Sequence, residues 1–269
     1  TTSTTLTRML TRRYSTSFSS ATRLFPSVME PHIYNIYGLV RVADEVVDTY
    51  RGSDQRAQLD ALEHETYETM KRGFSVNPIV HAFAYTARLY DIPKTLIEPF
   101  FASMRMDISQ TKHDEKSYEA YIYGSAEVIG LMCLKIFCDH DTKRYKELEK
   151  GARYLGSAYQ KVNFLRDIAA DYKELGRFYF PGHNFSSFDD AAKMAAEADI
   201  AEDFAIAWPY IQHLPKGAQP AVKTSYFYYH ELLERLKRTS AQEIKQHRIR
   251  VPTYKKVQLL AWQKMGIAS

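Results

Sequence analysis

Pairs of aspartates four positions apart carry the strongest chemical signal in the sequence. They occur at Asp44/Asp48, Asp167/Asp171 and Asp199/Asp203. Residues with this spacing lie on one face of a helix, so each pair presents two carboxylates to the same side. With 15 aspartates in 269 residues, chance predicts roughly one such pair in a chain of ordinary acid content. The residues around each pair must therefore decide which of them is functional.

The first pair lies on a predicted helix, 31–50, that is apolar almost all round. Tyr37 and Arg41 share the stripe of Asp44 and Asp48. Burying an ionised carboxylate costs several kcal/mol unless it is paired or binds a metal, and one arginine cannot neutralise two acids. Mg²⁺ takes one or two protein carboxylates and completes its shell with waters and phosphate oxygens. The stripe therefore favours a metal site that binds a phosphorylated substrate.

The second pair continues a similar stripe on a later helix. Asn163, Asp167 and Asp171 follow one another at intervals of four, between apolar neighbours. Further up the same helix, Ala152 and Gly156 are small and leave room beside the polar stripe. The pattern predicts the wall of a cavity.

The third pair has acids on several faces and no arginine or aromatic partner, so we interpret Asp199 and Asp203 as solvent-exposed. For the first two pairs, the alternative is a set of structural salt bridges with Arg41 and Arg166. We favour function, because two facing carboxylate stripes with arginine nearby suit a diphosphate held through several Mg²⁺ ions.

Composition excludes several other classes. The net charge of +4 is small and spread along the chain, which argues against nucleic acid as a partner. The longest apolar run, 128–137, is half the length of a membrane span. The two cysteines, Cys133 and Cys138, cannot form a disulfide framework, so a reducing compartment such as the cytoplasm is expected. Ser157 stands where a phosphate-binding loop needs lysine, so a nucleotide site is not expected.

Helix breakers and helical periodicity predict an all-α protein with one domain covering 1–269. A loop at 174–188 is long for a compact domain and is a candidate lid. The predicted helices cover 1–13, 31–50, 54–71, 78–90, 117–137, 142–171, 191–207 and 220–238, with others starting near 93, 240 and 252.

Five motifs resemble the squalene and phytoene synthase family from about residue 14 to residue 256. They are 14–19 (YSTSFS), 41–48 (RVADEVVD), 121–130 (YIYGSAEVIG), 163–171 (NFLRDIAAD) and 176–181 (GRFYFP). Two departures concern the shape of the pocket: Glu127 stands where many members have glycine, and Glu45 replaces a common second aspartate.

The resemblance implies an all-α isoprenoid synthase bundle around a central cavity. It also implies head-to-head condensation of two allylic prenyl diphosphates through a cyclopropyl diphosphate. Mg²⁺, with Mn²⁺ as an alternative, would neutralise the diphosphate and promote its departure. The metal ligands implied are Asp44, Asp48, Asn163, Asp167 and Asp171.

The resemblance also assigns the remaining site residues. Tyr37 and Arg41 join the four aspartates as catalytic residues. The implied substrate-binding residues are Ser17, Phe18, Tyr121, Ala126, Ala152, Leu155, Gln160, Asn163, Arg166, Tyr229, Arg248 and Lys256. For each aromatic residue alone, core packing is the commoner role, and the basic segment around Arg248 and Lys256 is equally consistent with a solvated or membrane-facing patch.

The residues of 123–130 most resemble the corresponding segment of bacterial phytoene synthases, which use geranylgeranyl diphosphate. No nucleotide motif is visible and the chain ends polar, so a reaction without NADPH is expected. Dehydrosqualene or squalene synthesis from farnesyl diphosphate is the alternative, and a non-catalytic assembly factor is the alternative from another class. Lipophilic substrates imply loose attachment of a cytoplasmic protein to a membrane surface, and the oligomeric state stays open.

Overall fold

The computed structural model describes residues 2–14 and 20–264, nearly all of them in helices and short connections. Among these residues the single β-type pairing is an isolated bridge between Lys112 and Phe178, so the predicted all-α class is confirmed. Two π-helical turns, Glu45–Thr49 and Tyr123–Glu127, follow the second and sixth helices. The helices are α1 (Thr2–Tyr14), α2 (Glu30–Asp44), α3 (Gln55–Arg72), α4 (Pro78–Leu89), α5 (Lys94–Ser109), α6 (Glu115–Ile122), α7 (Val128–Cys138), α8 (Thr142–Leu175), α9 (Asp190–Gln212), α10 (Gln219–Lys237), α11 (Ala241–Ile244) and α12 (Thr253–Lys264).

Local signals explain where several helices begin and end. Asn77 caps α4, because its side-chain oxygen accepts a hydrogen bond from the backbone N–H of Ile79 at 3.1 Å. Pro78 occupies the first turn, where no N–H is required. Gly176 ends α8 with a φ of 70°, which glycine adopts without strain. As a result α8 runs one turn past its predicted end, and α9 likewise continues through Pro209 beyond residue 207.

Close contact of α8 with α7 and with the π-helical turn before α7 sets the walls of the bundle centre. A Cβ on Gly156 would lie 2.7 Å from the carbonyl oxygen of Ala126, and a Cβ on Gly130 would lie 2.7 Å from that of Ala152. Contacts that pair 126 with 156 and 130 with 152 show that the two helices run antiparallel. Side chains larger than hydrogen at Gly130 and Gly156 would push the helices apart, so glycine allows the backbones to touch.

The continuous helix Glu115–Cys138 is long and apolar enough to cross a membrane by length and composition, and 56% of its most apolar window is buried inside the protein. Burial of this extent is typical of a core helix in a globular protein. It fits the position of this helix along the bundle centre.

The prediction of solvent exposure is wrong for Asp203. Its carboxylate is buried, accepts a hydrogen bond from Ser157 at 2.6 Å and lies 2.8 Å from the ammonium group of Lys161. Asp199 is half-exposed and pairs with the same lysine at 2.6 Å. The reason is that α9 packs along α8, which covers one face of the acidic segment, and Lys161 supplies the partner that its own sequence neighbourhood lacked.

Candidate active site

Two adjoining cavities lie at the centre of the bundle. The polar cavity, of about 950 Å³, contains the acids of α2 and α8 and residues from 248–259. The apolar tunnel, of about 290 Å³, is lined mainly by hydrocarbon and aromatic side chains. The two cavities meet at a shared wall, since seven residues line both: Ala21, Tyr37, Val40, Ser125, Gln160, Ser225 and Tyr229.

The first aspartate pair lies where α2 changes into a π-helical turn. Asp44 is the last residue of α2, and Asp48 lies within the turn, which closes with a hydrogen bond from the backbone N–H of Tyr50 to the carbonyl of Glu45. Turns of this type are frequent at functional sites because they widen the helix locally. Burial, and next the charge of Asp48, raise the pKa of Asp44 to about 8.

The second pair lies across the polar cavity on α8. Burial, the charge of Asp167 and then that of Asp48 raise the pKa of Asp171 to about 8. Since Asp48 belongs to the opposite helix, its influence on Asp171 reflects the approach of the two pairs to each other. The folded protein therefore concentrates negative charge between α2 and α8, as the two stripes predict.

Four arginines lie around these acids. Arg41 is 3.6 Å from Asp44 and also pairs with Glu45. The other three make the following contacts: Arg177 to Asp48 at 2.6 Å, Arg166 to Asp167 at 2.5 Å and Arg248 to Asp167 at 2.7 Å. Within residues 2–14 and 20–264, no ion pair reaches Asp171. Salt bridges therefore account for part of the site: Arg41 only partly offsets the effect of burial on the pKa of Asp44, which stays raised.

The donor set fits a hard divalent cation. Beside the carboxylates, the side-chain oxygen of Asn163 is buried and has no hydrogen-bond partner in the part of the chain that the structure describes. Carboxylate and amide oxygens are the ligands that Mg²⁺ prefers. The described residues contain no group of three acidic, histidine or cysteine side chains close enough to enclose an ion. Asp44, Asp48, Asn163, Asp167 and Asp171 could thus hold ions only together with waters and substrate oxygens.

The apolar tunnel extends from the polar cavity towards Phe25 and Phe137. Its lining runs from Ser125 in the second π-helical turn to Phe137 on α7, and on the antiparallel α8 from Gln160 to Leu148. Each run spans twelve residue-to-residue steps, so the lining extends for about 18 Å along the helices at 1.5 Å per step. At its end the rings of Phe25 and Phe137 stack with centroids 5.2 Å apart.

The structure brings most predicted substrate-binding residues to this space. The residues that line the tunnel are Ala126, Ala152, Leu155, Gln160 and Tyr229, and those that line the polar cavity include Tyr37, Tyr121, Asn163, Arg166, Arg248 and Lys256. Ser17 and Phe18 lie outside the described residues. Lys256 is held over the ring of Tyr228 at 5.5 Å. Glu127 points away from the tunnel and pairs with Arg153 at 2.6 Å, so this departure from the family motif leaves the tunnel lining unaltered.

Two charged residues at the site, Asp107 and Arg177, have no role in the sequence-based prediction. Arg177 belongs to the motif 176–181, and its position just after the second aspartate motif could have identified it as a site residue. Asp107 continues an apolar stripe of α5 through Phe100 and Met104, and an acid on such a stripe is a signal of a buried site. Both line the polar cavity.

The raised pKa values predict a pH-dependent stability. Without metal, the folded protein keeps protons on Asp44 and Asp171 that the unfolded chain releases near pH 4. The free energy of unfolding should therefore fall as the pH rises from about 4 to about 8. Mg²⁺ favours the ionised carboxylates, so the stabilisation it provides should increase over the same interval. Thermal unfolding with EDTA or Mg²⁺ across this range measures both effects.

The matched control is the double variant Asp44→Asn, Asp171→Asn, in which both pH effects should be strongly reduced. Stabilisation by Mg²⁺ that is independent of pH in the unmodified protein would contradict the assignment.

Comparisons with known proteins agree with this geometry. The family model described as squalene/phytoene synthase matches residues 11–255. The phytoene synthase of Arthrospira platensis is 26% identical over 283 aligned residues, which cover 95% of this chain and 90% of the relative. The phytoene synthase of Mycobacterium tuberculosis is 27% identical, covering 95% and 88%. The 4,4'-diapophytoene synthase of Staphylococcus haemolyticus is 26% identical, covering 81% and 76%.

Solved structures show the same fold. A dehydrosqualene synthase in complex with a ligand matches with a TM-score of 0.83 at 21% identity, covering 99% of this chain and 96% of that one. A squalene synthase from Alicyclobacillus acidocaldarius matches with a TM-score of 0.76 at 22% identity, covering 88% and 93%. The predicted isoprenoid synthase bundle is confirmed.

Proposed function

Because the chain belongs to the squalene/phytoene synthase family, whose members are prenyl transferases that join two prenyl diphosphates head to head, we propose that this enzyme makes phytoene from two geranylgeranyl diphosphates. The observation that carries the proposal is the junction of an acidic, arginine-rich cavity with an apolar tunnel. The first suits a diphosphate and the second suits its hydrocarbon chain.

Diphosphate binding would use the cations around the polar cavity. Arg41, Arg166 and Arg248 already lie at carboxylates, and guanidinium groups bind phosphate oxygens in a bidentate manner. When bound, Mg²⁺ would neutralise the diphosphate and stabilise it as a leaving group. Asp44, Asp48, Asn163, Asp167 and Asp171, which all line the polar cavity, would hold the ions.

The apolar walls would protect the carbocations. One substrate breaks its C–O bond, and diphosphate leaves with the electron pair. The double bond of the second substrate attacks the allylic cation, and loss of a proton closes a cyclopropyl diphosphate. Loss of the second diphosphate, rearrangement and loss of another proton give phytoene, so no hydride donor is required. The stacked rings of Tyr159 and Tyr229, with centroids 4.0 Å apart, line the tunnel near its junction and exclude water from the cation.

The length of the tunnel favours a C20 substrate. With C–C bonds of about 1.5 Å, an extended prenyl chain gains roughly 5 Å per isoprene unit, which gives roughly 20 Å for C20 and roughly 15 Å for C15. The tunnel lining spans about 18 Å between Ser125 and Phe137, which is nearer to the length of the C20 chain. Farnesyl diphosphate is the second candidate substrate, because the 4,4'-diapophytoene synthase and dehydrosqualene synthase relatives carry names of C30 synthases.

The test is product analysis by mass spectrometry after incubation with Mg²⁺ and either geranylgeranyl or farnesyl diphosphate, with and without NADPH. A C40 hydrocarbon formed without NADPH is expected. A C30 product alone would transfer the assignment to dehydrosqualene or squalene synthesis. No product with either substrate would support the non-catalytic alternative, against which the presence of all four aspartates now argues.

We further propose that residues 1–269 act as one domain in the cytoplasm and attach loosely to membranes, without nucleic acid as a partner. Helix α12 borders the polar cavity and exposes Tyr254 and Val257. From residue 244 onward the chain contains six lysines and arginines and no acid. Such basic, partly apolar segments bind anionic lipid surfaces.

This attachment predicts sedimentation with vesicles that contain phosphatidylglycerol, and less with vesicles of phosphatidylcholine alone. Replacing Tyr254 and Val257 with serine should lower the bound fraction several-fold. The matched control is Val76→Ser, which removes an exposed valine outside the cavities. Equal binding of all variants would contradict a role for α12.

A further inference from the structure

Asp107 of α5 is a buried carboxylate with three partners from two other segments. One of its oxygens accepts a hydrogen bond from the hydroxyl of Tyr121 at 2.8 Å, and the other accepts one from the hydroxyl of Tyr179 at 3.0 Å. The guanidinium group of Arg177 lies 3.6 Å away. The Asp107 side chain is only 4% exposed, and a carboxylate this deeply buried needs such partners to stay in the fold.

Two of these partners belong to the closing segment, which we define as residues 176–181. Few backbone bonds hold this segment to the bundle: the N–H of Phe178 donates to the carbonyl of Thr111 at 3.0 Å, and that of Arg177 to the carbonyl of Asp171 at 3.0 Å. The ring of Tyr179 stacks on Phe164 with centroids 4.1 Å apart. Among the side chains that reach the segment, Asp107 is the buried anion that binds both Arg177 and Tyr179.

Arg177 joins this network to the first aspartate pair. Its guanidinium group donates to Asp48 at 2.6 Å and to the carbonyl of Val47 at 3.0 Å, and its side chain is only 7% exposed. A cation that binds Asp48 would compete with Arg177 for this carboxylate. Without a second carboxylate, Arg177 would then be a buried cation with no anion beside it. Its charge would also repel the metal ion.

We propose that Asp107 is a positioning residue that keeps the closing segment in place and neutralises Arg177 while Asp48 binds metal. Asp107 acts through Arg177 and Tyr179 and contributes no group to the reacting atoms. The tyrosine hydroxyls fix the direction of the carboxylate, and the carboxylate fixes the segment over the polar cavity. The inference rests on the proposed function only where substrate is concerned, because the placement of the segment is independent of turnover.

Limited proteolysis with trypsin tests the placement in metal-free protein. Arg177 is buried, so the unmodified protein should resist cleavage after this residue. The isosteric variant Asp107→Asn should be cleaved there at least tenfold faster, because the segment opens more often when its anchor loses its charge. Mass spectrometry of the fragments identifies the cleavage site.

Metal binding and kinetics test the second part. Isothermal titration of Mn²⁺ in the presence of inorganic diphosphate should show affinity lower by roughly 10-fold to 100-fold in Asp107→Asn, the range known for residues that support metal ligands. The half-saturating Mg²⁺ concentration and KM should rise more than kcat falls. Arg177→Gln should remove most of the additional effect of Asp107→Asn on metal affinity, because the two residues act as a unit.

The matched control is Asp60→Asn, which should change none of these values. Asp60 lies outside the cavities, and its carboxylate pairs with Arg105 of α5, the helix that carries Asp107. Tyr179→Phe is a milder second variant that removes a single hydroxyl and should show intermediate cleavage. Resistance to trypsin and unchanged Mn²⁺ affinity in folded Asp107→Asn, or in Tyr179→Phe should the former not fold, would overturn the proposal. If the unmodified protein makes no product while cleavage increases as expected, the proposed function fails and the positioning role stands.

Discussion

Replacing Asp171 or Asp48 with asparagine is expected to lower turnover by ~10³-fold or more, because each substitution removes an anionic ligand for ions that neutralise the leaving diphosphate. The helical fold should persist. In metal-free protein, Asp171→Asn also removes a carboxylate whose pKa is raised to about 8 by burial and by neighbouring aspartates. At alkaline pH this variant should therefore melt at a higher temperature than the unmodified protein while losing its activity.

The third aspartate pair supplies a matched control. Asp199→Asn changes an acid with the same four-residue spacing, but Asp199 pairs with Lys161 at 2.6 Å and lies outside the polar cavity and the tunnel. Its turnover should stay close to that of the unmodified enzyme. An active Asp48→Asn, Asp171→Asn double variant would contradict the assignment of these residues to metal binding. Circular dichroism and product formation measured on the same preparations separate loss of fold from loss of chemistry.

Cys133→Phe is expected to change the preferred substrate from C20 to C15. Cys133 is partly buried and lines the tunnel one helical turn before Phe137. One turn of α-helix advances about 5.4 Å, which equals roughly one isoprene unit of an extended chain. A ring at this position would end the tunnel one unit earlier, and the ratio of kcat/KM for the C20 and C15 substrates should fall by about 100-fold.

Cys133→Ala is the control, since it leaves the tunnel open and should retain the original preference. Competition between the two diphosphates, with products separated by mass, measures the ratio directly. An unchanged ratio in folded Cys133→Phe would show that the chain does not occupy this tunnel. In that case the C20 preference, if present, would need another structural explanation.

Sequence patterns predicted the all-α class and the two acidic stripes because both depend on local periodicity. Residues four positions apart lie on the same face of an α-helix, so Asp44 and Asp48 share one stripe, and Asp167 and Asp171 share another. The π-helical turn at Glu45–Thr49 was not predictable in this way, since it depends on how the end of α2 packs. The stripe nevertheless survives the turn, because a wider helix keeps residues four apart on nearly the same side.

Residues whose roles depend on contacts between distant segments were harder to predict. Asp203 looked exposed because its partner, Lys161, belongs to another helix. Asp107 and Arg177 are separated by 70 positions and meet only when α5 and the closing segment pack together. Periodicity shows which face of a helix is polar, but it does not show which element covers that face.

The direct contact between the α7 and α8 backbones at Gly130 and Gly156 has a consequence for the evolution of product range. Two walls that already touch cannot move closer, and separating them would open the core to water. Descendants of this sequence would therefore change product length by exchanging side chains along the tunnel, such as those at Cys133 and Phe137, rather than by shifting helices. Exchanges at Cys133 and at Phe137 would differ in effect by about one isoprene unit, because these two lining positions on α7 are one helical turn apart.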